Sequence, residues 1–452
     1  MGMFSTGCGD SGGGENNYTP ITQSFKGMGF EWDMYDNMNN WNSAVYEYAK
    51  QAANGINPSS VRIMFDIDKY CVSFGATNTP VYDFETDSMK NLYDILDYCE
   101  AKGIKVALGV WHARYEGSYV FDAVKDEGTE LFAKVVMDML AELINVKGYT
   151  CIKYLVPYNE PNYTRRYRNG ALVNPYKLWT YCMNNLKAEF EKRTFASKVE
   201  IAGPDMSTLT ESGTWLSEAE KEFSQDLGIY EMHVYPSSYL VKTGGLSDRL
   251  TSIIGRLKNN DRDIWLYESG ISDGITSSGQ SNITAYGYGL QTVDLALQSV
   301  IAGIDGVMFW SFDKKMHQSG GVDSDFGLID SQKKELRPWY YSTLMLSNAL
   351  TENSKVYLVK NDGVVRSVVA ENESGVYLLT VNRGEEDVSF DINYQNGFDK
   401  GELYSYVFDA ENLICDNDGN ILPAEFIKGK LSNGITYTVP AGSFAVLCTE
   451  KY

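Results

Sequence analysis

Histidine is scarce in this chain of 452 residues. Only three are present, too few for a multi-histidine metal centre, so a metal-dependent mechanism is not expected. Cysteine is sparse and shows no pairing pattern. The seven Cys, at positions 8, 71, 99, 151, 182, 415 and 448, include no Cys-x-x-Cys, and their odd total speaks against both a zinc ribbon and a complete disulfide framework. No stretch approaches the roughly 20 apolar residues of a membrane span. Positive charge is also in deficit: 39 Lys and Arg stand against 60 Asp and Glu, a net charge of −21. Such a surface repels phosphate backbones and anionic lipid headgroups, which excludes nucleic acid as an expected partner and favours a neutral substrate. Aromatic residues are plentiful. They make up 13% of the chain, with 32 Tyr and 8 Trp, and rings serve both to pack cores and to bind ligands.

The length suits two domains, one of them large. From about residue 24 to 350, short apolar or β-branched runs alternate with longer segments of helical period, the pattern of βα units around a parallel sheet. Strands are expected at 27–32, 61–66, 105–111, 152–158, 199–204, 230–235, 263–267 and 306–311. Between them, apolar residues recur at helical spacing, as in Leu92, Ile95, Leu96 and Cys99, and in Trp179, Cys182, Met183, Leu186 and Phe190. Asn174 followed by Pro175 supplies a capping side chain and a proline at the first helical position. Eight strands with eight helices close most simply into a (β/α)8 barrel, whose active site lies at the C-terminal ends of the strands. After residue 351 the helical period gives way to short alternating runs separated by Asn-Gly and Asp-Gly turn signals, the pattern of a small all-β sandwich. The expected organisation is a flexible tether at 1–20, a catalytic barrel at 21–351 and a sandwich at 352–452.

Two carboxylates stand at strand ends facing one barrel mouth. Val156-Pro157-Tyr158-Asn159-Glu160-Pro161 ends the fourth strand, and Trp265-Leu266-Tyr267-Glu268-Ser269-Gly270 ends the seventh. Cleaving a glycosidic bond with retention needs one carboxylic acid to protonate the leaving oxygen and one carboxylate to attack the anomeric carbon. With Arg62 on the second strand, Asn159-Glu160-Pro161 after the fourth, His233-Val234-Tyr235 on the sixth, Glu268 after the seventh and Trp310 on the eighth, the chain resembles the retaining glycoside hydrolases of clan A. Asp325-Phe326-Gly327-Leu328-Ile329-Asp330 and the terminal Val439-Pro440-Ala441-Gly442-Ser443-Phe444 extend the likeness beyond the strand ends.

That resemblance implies a β-glycosidase acting by double displacement, without metal or cofactor, with Glu160 as acid/base and Glu268 as nucleophile. Arg62 is expected to hydrogen-bond Glu268 and keep it ionised, because a fixed cation favours the charged form. Asn159 is placed for the sugar 2-hydroxyl, Tyr235 for the nucleophile, and Trp310 for the floor of the cleavage site. His233 completes the expected substrate-binding set, and Glu31, Trp111 and His112, at the ends of strands one and three, are further candidate contacts. The expected substrate is a β-linked oligo- or polysaccharide, with endo action on a β-glucan in first place. An exo-acting β-mannosidase, β-xylosidase or β-galactosidase and a transglycosylase use the same carboxylates, and a silent glycan-binding protein is least favoured because both glutamates are intact. The loop Asn162-Tyr163-Thr164-Arg165-Arg166-Tyr167-Arg168 forms a cationic, aromatic cluster. Pairing with the acidic stretch 122–130 is favoured over the grip of an anionic sugar. Gly7-Cys8 and the polar run that follows resemble the start of a mature bacterial lipoprotein, which implies a lipid on Cys8 and a secreted or cell-surface enzyme.

Overall fold

The structure, a computed structural model, describes residues 18–33, 43–113, 117–195, 198–258, 262–314, 317–319, 322–395, 397–398, 400–409, 413–416 and 419–452. Cys8 and nearly all of the expected tether lie outside the described residues. Eight parallel strands close a barrel: β1 (Gly27–Glu31), β2 (Ser60–Phe65), β3 (Lys105–Val110), β4 (Ile152–Val156), β5 (Glu200–Met206), β6 (Leu227–Val234), β7 (Ile264–Ser269) and β8 (Gly306–Phe309). All eight expected strands are present, with ends moved by one to three residues. Side chains alternate in and out along each strand. Ala107, Val156, Ala202, Ile229, Trp265, Tyr267 and Met308 form one buried cluster inside the barrel. The outward set, such as Ile63, Val106, Leu155, Tyr230 and Leu266, joins a larger core with the helices.

The helices form where the apolar spacing places them. Asp87–Lys102 buries Leu92, Ile95, Leu96 and Cys99; Pro175–Phe190 buries Trp179, Cys182, Met183 and Leu186. Asn174 caps the latter by accepting from the Lys177 N–H at 3.0 Å. Among the described residues no helix is long and apolar enough to cross a membrane.

Beyond the barrel the chain is all β. A seven-stranded antiparallel sheet is built mainly from Lys355–Asp362, Val365–Glu371, Val376–Asn382, Ser443–Cys448 and Glu402–Asp409. Its inner-face residues Val368, Ala370, Leu379, Val381, Phe444 and Val446 merge with the barrel core. The outer face, through Val369, Leu378, Ala445 and Leu447, packs against Ile392, Tyr437 and Val439 of the two-stranded ribbon Val388–Ile392/Ile435–Val439. One edge corrects the expected boundary. Thr19–Thr22 pairs antiparallel with Lys355–Asp362, Thr19 opposite Leu358, so residues 19 and 20 belong to this sheet and not to a free tether. Composition alone hid them, because a strand of four residues in polar surroundings carries no period.

Candidate active site

Strand register assembles the site. In the parallel pair β1–β2, Glu31 lies opposite Arg62; in β6–β7, His233 lies opposite Glu268. Strict alternation would turn Glu268 outward beside Leu266. The register slips between Met232 and His233, and this irregularity re-aims Glu268 towards the mouth, as bulges do beside functional sites. Glu160 follows β4 with φ of +43°, and Asp205 near the end of β5 has φ of +58°. Left-handed backbone at non-glycine residues is uncommon, and it persists where surrounding contacts over-determine it.

Arg62 is fully buried and stands at the centre. Its Nη1 donates to Glu268 Oε2 at 2.9 Å and to Glu31 Oε2 at 3.1 Å. Its Nη2 donates to Asn159 Oδ1 at 2.8 Å and to Asp205 Oδ2 at 3.0 Å. Because the Asn159 oxygen is taken by Arg62, its amino group is the end left for the cavity. Tyr235 donates its hydroxyl to Glu268 Oε1 at 2.5 Å. His233 Nδ1 lies 3.0 Å from Glu160 Oε1 and its Nε2 lies 2.8 Å from Asp205 Oδ1. One carboxylate oxygen of Glu160 and one of Glu268 lie within 4.8 Å of each other. So close an approach of two oxygens fits carboxyl groups about 5 to 5.5 Å apart, the separation in retaining enzymes.

Charge in this pocket is set by burial and by two cations. Burial opposes a charged imidazole at His233, yet the charges of Glu268 and Asp205 and hydrogen bonds to Asp205 and Glu160 hold its pKa well above the usual histidine value. A proton on the ring is thereby favoured, and a protonated ring donates from both nitrogens. Burial likewise opposes charge on Asp205, but Arg62 and His233 hold it well below the usual carboxylate range. Burial pushes Glu268 upward, His233 and Arg62 pull it back, and the net direction is up. Arg62 does hydrogen-bond Glu268 and favours its charged form, as does Tyr235, but desolvation outweighs these contributions in the net direction. Tyr235 itself is pushed well above its normal value, first by burial and then by Glu268, so it stays a donor.

The expected contacts separate into two layers. Trp111, Asn159, Glu160, Tyr235, Glu268 and Trp310 line one cavity of about 260 Å³, together with Ile275 and Phe326. The Trp111 and Trp310 rings stand 5.9 Å apart at 87°, two walls that can take the apolar faces of a sugar. Arg62, His233 and Glu31 are fully buried behind this wall, so they reach a substrate only through lining residues such as Glu268, Glu160 and Asn159. Burial pushes Glu31 up to about 7 despite the Arg62 charge. His112 is outside the cavity lining; its ring lies 6.5 Å from Tyr158, and burial lowers its pKa. In the cationic loop, Arg166 donates to Glu127 from Nε at 3.0 Å and Arg168 to Asp126 from Nε at 2.7 Å, which is the pairing favoured from sequence.

Sequence reasoning missed Asp205, Ile275 and Phe326. Phe326 lies in the quoted Asp325-Phe326-Gly327 stretch. It is carried to the cavity because the Ile275–Thr276/Gly279–Gln280 hairpin after β7 is bridged to the loop after β8 at Gly279 and Asp325. Gly279 has φ of +106°, and a Cβ there would meet the Asp325 backbone at 2.3 Å.

Two carboxylates at the ends of β4 and β7, at retaining distance and held by Arg62, His233 and Tyr235, define a retaining glycoside hydrolase of clan A. The model of the cellulase family, glycosyl hydrolase family 5, matches residues 17–315, and the chain belongs to that family. No curated protein sequence matches it. Among solved structures, the chain is similar to a family 30 subfamily 8 xylanase from Clostridium acetobutylicum at 13% identity and a TM-score of 0.63, covering 95% of this chain and 97% of that one. A family 39 β-xylosidase from Caulobacter crescentus is similar at 13% identity and a TM-score of 0.63, covering 96% and 98%. A conserved exported protein from Bacteroides fragilis is similar at 13% identity and a TM-score of 0.66, covering 95% and 98%. At such identities these likenesses establish the fold.

Proposed function

We propose that the protein hydrolyses a β-linked glycan by double displacement, with Glu268 attacking the anomeric carbon and Glu160 protonating the leaving oxygen and then activating water. The observation that carries this reading is the approach of the Glu160 and Glu268 oxygens to within 4.8 Å. As the covalent glycosyl-enzyme forms, the Glu268 charge is consumed, and Glu160 can then act as base. Asn159 offers its amino group to the sugar 2-hydroxyl, where a hydrogen bond strengthens in the oxocarbenium-like transition state. Endo action on a β-glucan remains the preferred finer reading. Tyr163 and Tyr167 support it, each about 61% exposed on the loop after Glu160, where they extend the aromatic surface beyond a single sugar. A β-xylan backbone is a close second, since similar folds include a xylanase and a β-xylosidase. We place the enzyme outside the cell, tethered through Cys8, with the C-terminal sheets as a sandwich that buttresses the barrel.

The test is hydrolysis of aryl β-glycosides and of β-glucan, xylan and mannan by wild type and by Glu268→Ala, with the anomer of the first product followed by NMR. The expected result is β product that disappears in the variant. An α product, or activity unchanged in Glu268→Ala, overturns the assignment. Internal cleavage of polymer, release of single sugars, or transfer to an added acceptor separates endo, exo and transglycosylase action.

A further inference from the structure

We propose that Asp205 is the positioning residue of the acid/base, fixing both the backbone and the carboxyl group of Glu160. The proposal rests on Glu160 being the acid/base. Three observations carry it. The Glu160 backbone N–H donates to Asp205 Oδ2 at 3.2 Å. The other Asp205 oxygen lies 2.8 Å from His233 Nε2, and Nδ1 of the same imidazole lies 3.0 Å from Glu160 Oε1, so the ring bridges the two carboxyl groups. Arg62 Nη2 holds the Asp205 carboxylate itself, at 3.0 Å to Oδ2.

The geometry explains why a carboxylate is needed there. Glu160 adopts φ of +43°, a region that a non-glycine residue holds only where surrounding contacts fix it. Asp205 is fully buried and grips the residue twice, once directly through the backbone and once through the ring of His233. Displacement by even an ångström costs about 10²-fold in rate when a catalytic group must meet its target. Glu268 does not depend on Asp205 in this way, since it is held by Arg62 and by Tyr235, and Arg62 keeps Glu31 as a further partner.

An acid matters most when the leaving group is poor. The experiment therefore compares kcat/KM for a phenyl and a 2,4-dinitrophenyl β-glycoside of the sugar that wild type turns over, in wild type, Glu160→Ala, Asp205→Asn and Asp205→Glu. Asp205→Asn is expected to lose about 10²-fold on the phenyl substrate, within the range of general acid catalysis, and less than about fivefold on the dinitrophenyl one. Asp205→Glu keeps the negative charge beside Arg62 but moves its oxygens, and it should show the same split if the Asn variant does not fold. Circular dichroism of each variant reports the fold. An equal loss on both substrates in a folded variant, or no loss, overturns the proposal. If Glu160→Ala itself shows no split, the assignment of the acid/base fails; if it does and the Asp205 variants do not, only the role of Asp205 fails.

Discussion

Among the described residues, Arg62 and Arg366 are wholly buried against carboxylates, and they are arranged in opposite ways. Arg62, inside the barrel, is shared among Glu31, Asp205 and Glu268. Arg366, in the C-terminal sheet, holds a single carboxylate, with the Gly363 carbonyl as a further partner. It grips Asp294 of the helix Tyr286–Ile301 from Nε at 2.7 Å and from Nη2, and Arg383 approaches the same carboxylate at 3.8 Å. The first cluster has more carboxylates than cations, the second more cations than carboxylates. Carboxyl groups can take up protons when burial makes charge expensive, whereas arginine cannot release one. The first cluster can therefore adjust its charge during a reaction, and the second is a fixed pin between the sheet and the barrel.

The contrast is open to direct attack. Arg62→Met should lower kcat/KM by about 10³-fold, because Glu268 loses its fixed cation and Asn159 its orientation. Its urea midpoint should move less than that of any variant at the other arginine, since the surrounding carboxyl groups can neutralise themselves. Asp294→Ala should do the reverse. It strands Arg366 and Arg383, and losing one partner of a buried pair costs about 3 to 5 kcal/mol; kcat below the unfolding temperature should stay at the wild-type level. A large fall in kcat for Asp294→Ala would show that the sheet shapes the site and is no mere support. The smallest effect concerns pH. Glu31 is raised from 4.5 to about 7 by burial, so the folded chain holds this proton more tightly than the unfolded one. Its stabilisation is complete below about pH 4.5 and is lost as the pH rises through about 7. In Glu31→Gln, unfolding midpoints between those values should fall less steeply with pH than in wild type; an unchanged slope would remove Glu31 from the titrating set.

The division between what was legible and what was not follows the physics of each element. Glu160 and Glu268 could be found because a strand end in a parallel barrel is a defined place, and Arg62, His233 and Tyr235 sit at matching ends. Asp205 also ends a strand. Its neighbours in sequence form no pattern, and its importance arises from Arg62, His233 and the Glu160 amide, all supplied by other strands. The inner and outer layers of the site were likewise beyond sequence, since only packing separates a wall residue such as Trp111 from a residue behind the wall such as Glu31. Helices were found because their buried faces repeat. The strand Ile435–Val439 alternates and follows the Asn433-Gly434 turn, the kind of signal by which the sandwich is recognised. Glu425–Lys428 has mostly exposed side chains and offered no such signal.

The edge strand Thr19–Thr22 bears on how the chain is made. Its partner is Lys355–Asp362, and nearby the Phe25 N–H donates to the Ser354 carbonyl at 2.9 Å. A nascent chain leaving the ribosome cannot seat this strand until Lys355–Asp362 has emerged, after the whole barrel. Closing so long a loop carries an entropic penalty that only the finished sheet repays. Thr19–Thr22 thus reaches its place only after the barrel strands that follow it in the chain have been made.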